Sequence, residues 1–195
     1  MEYLIILLLI LLNGLFAMSE IALVSSKRAR LEEKAKKGST GAKTALKLLD
    51  EPEKFLSTVQ IGITLVGIIA GAYGGLALAD DLVPVLQNFI WLAPYSEQAA
   101  IVIVVSVITY LSLIIGELVP KTIAFNNPEG ITITLAPFMK FLSWLTTPIV
   151  VFLSLSTKVL LKILLIKPKD DTPVTEEELK ILIEKGAQFG TLEHR

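Results

Sequence analysis

The chain has no cysteine, and its single histidine is His194. These scarcities exclude disulfides, thiolate metal sites, thiol catalysis and any metal centre or general base built on several imidazoles. Basic residues are missing from two long stretches. No Lys or Arg precedes Lys27, and none lies between Phe55 and Pro120. All 18 fall in two blocks, 27–54 and 121–195, where they flank apolar runs. Such a distribution draws no basic stripe, so no nucleic-acid partner is expected. No nucleophile stands beside a base, and the chain is expected not to be an enzyme. The net charge of −1 carries no message. What is present is apolar: 53% of the residues are hydrophobic and the mean hydropathy is +0.66. Soluble domains hold roughly 45–50% apolar residues. The composition points to an all-α membrane protein embedded in a lipid bilayer.

Three runs are read as transmembrane helices, at about 3–25, 55–79 and 99–120. The first has no basic start and contains Glu20, so it reads as a span and not as a cleavable signal. The basic stretch 27–54 follows, with a break at Gly38-Ser39-Thr40-Gly41. The excess of Lys and Arg places it in the cytoplasm and the N-terminus outside. The connection 80–98 carries acids, Pro84, Pro94, Trp91 and Tyr95 but no basic residue, as suits the outer interface. The stretch 131–166 is apolar yet holds Pro137, Lys140, Pro148, Lys158 and Lys162. It is expected to form two amphipathic helices lying at, or dipping into, the inner interface. Residues 1–166 thus form a membrane domain. Residues 167–195 read as a cytoplasmic linker, Asp170-Asp171-Thr172-Pro173, and a capping-box helix start at Thr175, the beginning of a further cytoplasmic region.

Polar groups inside spans default to functional hypotheses. Span one carries Asn13, Ser19, Glu20, Ser25 and Ser26. Asn13 and Glu20, seven apart, share one face; Ser19 and Ser26 share another. Span two carries Gln60 and Thr64, then Gly67, Gly71 and Gly75, whose spacing of four suits close helix packing. Span three carries Ser106, Thr109, Ser112, Gly116 and Pro120 along one stripe, and ends Gly116-Glu117-Leu118-Val119-Pro120-Lys121. Pro120 has no N–H for the carbonyl of Gly116, so a free carbonyl is expected beside Glu117, with a kink or hinge at the proline. Hard cations take such oxygen ligands. Glu117 and Lys121 are also spaced for an ordinary i,i+4 ion pair, and Glu20 for a partner in the basic block.

These same residues resemble a known family. Ser19-Glu20-Ile21-Ala22-Leu23-Val24-Ser25 with Arg30-Leu31, Phe55-Leu56-Ser57-Thr58-Val59-Gln60-Ile61-Gly62 and the run 116–121 are similar, in order, to three signatures of the CNNM/CorC (hemolysin C-like) membrane proteins. The resemblance implies a homodimer of three-span domains with a belt of juxtamembrane helices, in the plasma membrane, and a cytoplasmic C-terminus leading to paired CBS domains that bind nucleotide. It implies Mg²⁺ export coupled to Na⁺, with cation ligands at Ser19, Ser25, Gly116 and Glu117. Where such relatives carry Asn in the second helix, this chain has Ile63 and Gly67. That leaves Gln60 and Thr64 as second-helix candidates, or a different cation. The alternative function is a non-transporting membrane regulator that senses Mg²⁺ and controls partners.

Overall fold

The computed structural model describes residues 2–165, and every described element is helical. In chain order these are α1 (Glu2–Ser25), α2 (Arg28–Lys36), α3 (Thr40–Asp50), α4 (Pro52–Ala77), α5 (Ala79–Gln87), a short 3₁₀ turn (Ala93–Tyr95), α6 (Ser96–Leu113), a π turn (Ile114–Leu118), α7 (Val119–Asn126) and α8 (Pro128–Ile163). The chain divides into two compact units, 1–151 and 152–195. The linker and capping-box expectations at 167–195 fall outside the described residues.

Local chemistry sets the element ends. Gly38 takes φ +98° between α2 and α3, a conformation that costs glycine little. The Ser39 side chain then accepts from Ala42 N–H at 3.2 Å and caps α3. Asn127 does the same for α8, accepting from Gly130 N–H at 3.2 Å. The expected break in the basic stretch therefore lies where the glycine and serine stand.

Four stretches are long and apolar enough to cross a membrane: Glu2–Ser25, Pro52–Gln87, Ala93–Asn126 and Pro128–Ile163. The chain is a multi-pass membrane protein, and its outward-facing Leu, Ile and Val side chains face lipid. Four candidates stand where three spans were expected. The difference lies at 131–166, where two interfacial helices were read and one continuous helix is found. Pro137 and Pro148 sit inside α8 without ending it. A proline frees one carbonyl and bends a helix, but packing can hold the two halves together. Here Gly41 of α3 packs directly on the Ile133 carbonyl, four residues before Pro137. The buried residues Glu129, Thr132, Ala136, Met139 and Ser143 then follow one helical stripe.

That stripe completes a cap around the basic helices. Phe55, Leu31, Val59 and Met139 are almost fully enclosed, together with Phe16, Leu23, Ala45, Leu48 and Ala136. Glu129 is buried at the start of α8, where Lys27 N–H (3.5 Å) and the Arg30 guanidinium (3.3 Å) meet its carboxylate. Ser26 shares a hydrogen bond of 2.9 Å with Thr132, and Thr58 one of 3.1 Å with Thr146. Thr132 and Thr146 are about 21 Å apart along α8 at ~1.5 Å per residue. Yet their partners stand just past the end of α1 and in the second turn of α4. The first half of α8 therefore runs across the ends of α1 and α4 instead of alongside them.

At the other end of the bundle, Tyr3 Oη donates to Asp81 at 2.9 Å beside an apolar cavity of about 340 Å³. Ile90 and Trp91 project from the nearby loop, 88% and 92% exposed. An amphipathic interface accommodates such side chains where water would not.

Candidate functional site

The third long stretch changes its hydrogen bonding where its polar residues stand. After α6 the backbone widens into the π turn Ile114–Leu118, in which Val119 N–H reaches back five residues to the Ile114 carbonyl. Pro120 follows in the first turn of α7 and offers no N–H. The expected free carbonyl is present, and its partner is a side chain. Asn13 Nδ2 donates to Gly116 O at 3.1 Å across 103 residues of sequence. π turns inside helices recur at functional sites, where they turn backbone groups toward a neighbour.

Two glycines let the helices meet. A Cβ on Gly116 would lie 3.2 Å from the Ile10 carbonyl oxygen and 3.3 Å from Asn13 Nδ2. A Cβ on Gly14 would lie 3.0 Å from Pro120 Cγ and 3.3 Å from the Ile115 carbonyl oxygen. Each glycine thus receives the backbone or ring of the facing element. Close approach of this kind is how membrane helices bring backbone carbonyls within reach of side chains.

The arrangement leaves one acceptor over. Asn13 Oδ1 is buried and has no hydrogen-bond partner among the described residues. A buried polar atom without a partner is uncommon. Turning the amide over would set oxygen against the Gly116 carbonyl oxygen, so the amide orientation follows from its one bond.

Two turns along α1 from Asn13, Glu20 faces the same seam. Lys121 Nζ lies 2.7 Å from Glu117 Oε1 and 3.9 Å from Glu20 Oε2. The side chains of Lys121, Glu20 and Glu117 are 27%, 27% and 37% exposed. One ammonium serves two carboxylates, so the triad keeps one unit of negative charge. A net negative charge on a partly buried seam favours a cation.

The sequence-derived candidates divide. Gly116, Glu117 and Pro120 meet α1 as described. Ser25, at the last residue of α1, is three turns beyond Gly14 and on its face. Ser19 is on the opposite face, buried, donating to the Leu15 carbonyl at 2.7 Å beside Phe55, Thr132 and Met139. Gln60 and Thr64 are exposed on α4 and lie 3.5 Å apart. A Cβ on Gly67 or Gly71 meets nothing within 4 Å, whereas Gly75 packs on Val105 and the neighbouring Gly74 on Ile108. Ser106 and Thr109 also face outward from α6, with Ser106 bonded back to Val102. The residues missing from the expected ligand set are Asn13 and Glu20. Their seven-residue spacing already put both on one face of span one. The partner of Glu20 is Lys121, the first residue of the second basic block, and not a residue of the stretch 27–54.

Comparison with known proteins adds to this geometry. The model of the cyclin M transmembrane N-terminal domain (CNNM) family matches residues 4–195. The UPF0053 protein sll0260 of Synechocystis is 48% identical over 193 residues, covering 99% of this chain and 43% of that protein. The polyamine export protein of Haemophilus influenzae is 29% identical, covering 94% of this chain and 42% of its own length. That of Escherichia coli K12 is 28% identical, covering 97% and 42%. The chain spans less than half the length of these curated relatives.

Proposed function

This chain belongs to the cyclin M transmembrane N-terminal domain family, and on that footing we propose that it forms the membrane pathway of a cation exporter. The observation that carries the proposal is the α1 seam. A backbone carbonyl released by Pro120, an unpaired amide oxygen at Asn13 and the carboxylates of Glu117 and Glu20 stand along the seam between α1 and the π turn. Oxygen donors of this kind, with one surplus negative charge, suit a hard cation. Mg²⁺ is the proposed cargo, with Na⁺ as the coupling ion, following the resemblance of the three signature runs. Mg²⁺ gives up water reluctantly and would keep part of its shell. Glu117 supplies charge, and the Gly116 carbonyl and Asn13 Oδ1 supply dipoles; the Ser25 hydroxyl, about 18 Å along α1 from Asn13, would serve a second position on the pathway. Ser19 would join only if α1 turned about its axis. The π turn and Pro120 are the proposed hinge.

The proposed setting is the plasma membrane, with the N-terminus outside. The excess of Lys and Arg after Pro120 is proposed to keep the C-terminus cytoplasmic. The outward faces of α4 (Gln60, Thr64, Gly67, Gly71) and α6 (Ser106, Thr109) set polar and small residues among exposed apolar ones, and we propose that they receive a second copy in a homodimer. On the resemblance, the whole protein carries cytoplasmic nucleotide-binding CBS domains.

A second reading of the cargo is favoured by one contact. The group on the two carboxylates is the end of a four-carbon alkylammonium, Lys121. Two relatives are named polyamine export proteins, and a polyamine terminus has the same chemistry. Flux into liposomes separates the readings. Mg²⁺ flux that disappears in Glu117→Gln supports the first. Putrescine flux without Mg²⁺ flux supports the second. Mg²⁺ binding with no flux of either leaves a sensor and regulator, and undiminished flux in Glu117→Gln removes the seam from the mechanism.

A further inference from the structure

We propose that Lys121 is the tethered resting occupant of the cation site, displaced when cargo enters and returning to expel it. The inference rests on the cation-export reading above and assigns a role that reading leaves open.

The geometry separates this role from an ordinary ion pair. An i,i+4 pair on a water-facing helix needs one acid. Lys121 instead bridges acids on two elements, Glu117 on the π turn and Glu20 on α1. All three side chains are partly buried, where an unpaired carboxylate costs more than one held by an ammonium. The lysine also stands one residue after Pro120, beyond the turn where the regular hydrogen bonding is interrupted. Its four-carbon stem is flexible and its ammonium is a compact charge with freely turning donors.

Electrostatics makes the two occupants exclusive. A cation at Glu117 would sit within a few ångströms of Nζ, and like charges at about 4 Å repel strongly in a partly dry site. Cargo therefore binds as the ammonium swings out, and the ammonium swings in as cargo leaves. The seam never presents two unpaired carboxylates. The empty transporter can change its opening without a bare charge pair in the membrane, and the returning lysine lowers the affinity for cargo at the release step. A purely structural pair makes the opposite demand: cation binding should leave Lys121 where it is, and its removal should only loosen the fold.

The test uses Mg²⁺ as probe and the wild-type protein first. Acetic anhydride labelling at Lys121, read by mass spectrometry against exposed Lys37, should speed up severalfold when Mg²⁺ saturates the site. Unchanged or slower labelling at Lys121 overturns the proposal. Calorimetry on variants gives the second arm. Lys121→Met should bind Mg²⁺ about tenfold tighter or more, because one competing charge is gone. Lys121→Arg should bind as wild type. Lys121→Met that folds and binds no tighter also overturns the proposal. Glu117→Gln reads the underlying assignment separately. If it binds Mg²⁺ like wild type, or wild type binds none, the cation-site reading itself fails. If Glu117→Gln loses binding while Lys121 passes neither test, that reading stands and the tethered occupant falls.

Discussion

Helix α1 is built differently on its two sides. Toward α3, α4 and α8 it presents Phe16, Ser19, Leu23 and, just past its end, Ser26, and each polar atom there is satisfied. Ser19 and Ser26 return their hydroxyls to carbonyls four residues back, at 2.7 Å each, and Ser26 also meets Thr132. Toward the π turn and α7 it presents Ile10, Asn13, Gly14 and Glu20. There an amide oxygen lacks a partner, two carboxylates share one ammonium, and two glycines remove the side chains that would otherwise keep the backbones apart. Both sides are polar and both are packed. The difference is completeness: one side has used its hydrogen bonds on itself, and the other holds some open toward something that arrives. A satisfied hydroxyl is a structural device, and an incomplete network is where a ligand can be recognised.

The largest break in this comparison comes from the satisfied side. Phe55 is enclosed in the cap that Phe16 and Leu23 help to form. Phe55→Ala should cost about 3–5 kcal/mol, read as a lower melting temperature in detergent, with the Mg²⁺ affinity of the protein that remains folded unchanged. Next in size is Gly116→Ala. Its methyl would press on the Ile10 carbonyl and the Asn13 amide, at roughly 1–3 kcal/mol in stability. Cation binding by calorimetry should fall far more than that loss explains, because the methyl separates the helices at the seam. The smallest and sharpest effect comes from a matched pair on α1. Ser19→Ala should move neither melting nor binding measurably, since its hydroxyl serves only its own backbone. Asn13→Ala should leave melting within about 1–2 kcal/mol, the worth of one partly buried hydrogen bond, and weaken Mg²⁺ binding severalfold. Equal binding losses in the two would erase the distinction between the sides.

Much of this was legible in the residues, and where it was not the reason is physical. The break at Gly38-Ser39 and the first three apolar stretches follow from local chemistry, which a sequence displays. The released carbonyl of Gly116 follows from Pro120 alone. The identity of its partner does not, since Asn13 is 103 residues away and only the packing of α1 on the π turn selects it. The π turn is also silent in sequence, because one extra residue per turn changes no side-chain chemistry. The signature run alone places Ser19 in the ligand set, whereas its spacing from Ser26 gives it a face away from Asn13 and Glu20. The two prolines of α8 suggested two helices, because proline shows what a backbone lacks and not what surrounds it. Gly41 and the buried stripe of α8 hold that helix together through contacts with sequence neighbours far behind it.

The π turn sets the phase of everything after it. A stretch with five residues between hydrogen-bonded groups holds one residue more than the same α-helical turn, and each residue advances a helix by about 100°. Deleting one residue within 114–118 would let the stretch close into regular α-helix. The stretch would remain apolar and long enough for a bilayer, and its composition would hardly change. All of α7, however, would be turned by nearly a third of a revolution, carrying Lys121 away from Glu20 and Pro120 away from Gly14. The seam is therefore a matter of helical phase as much as of residue type: the same side chains, one step out of register, would compose a plain membrane anchor.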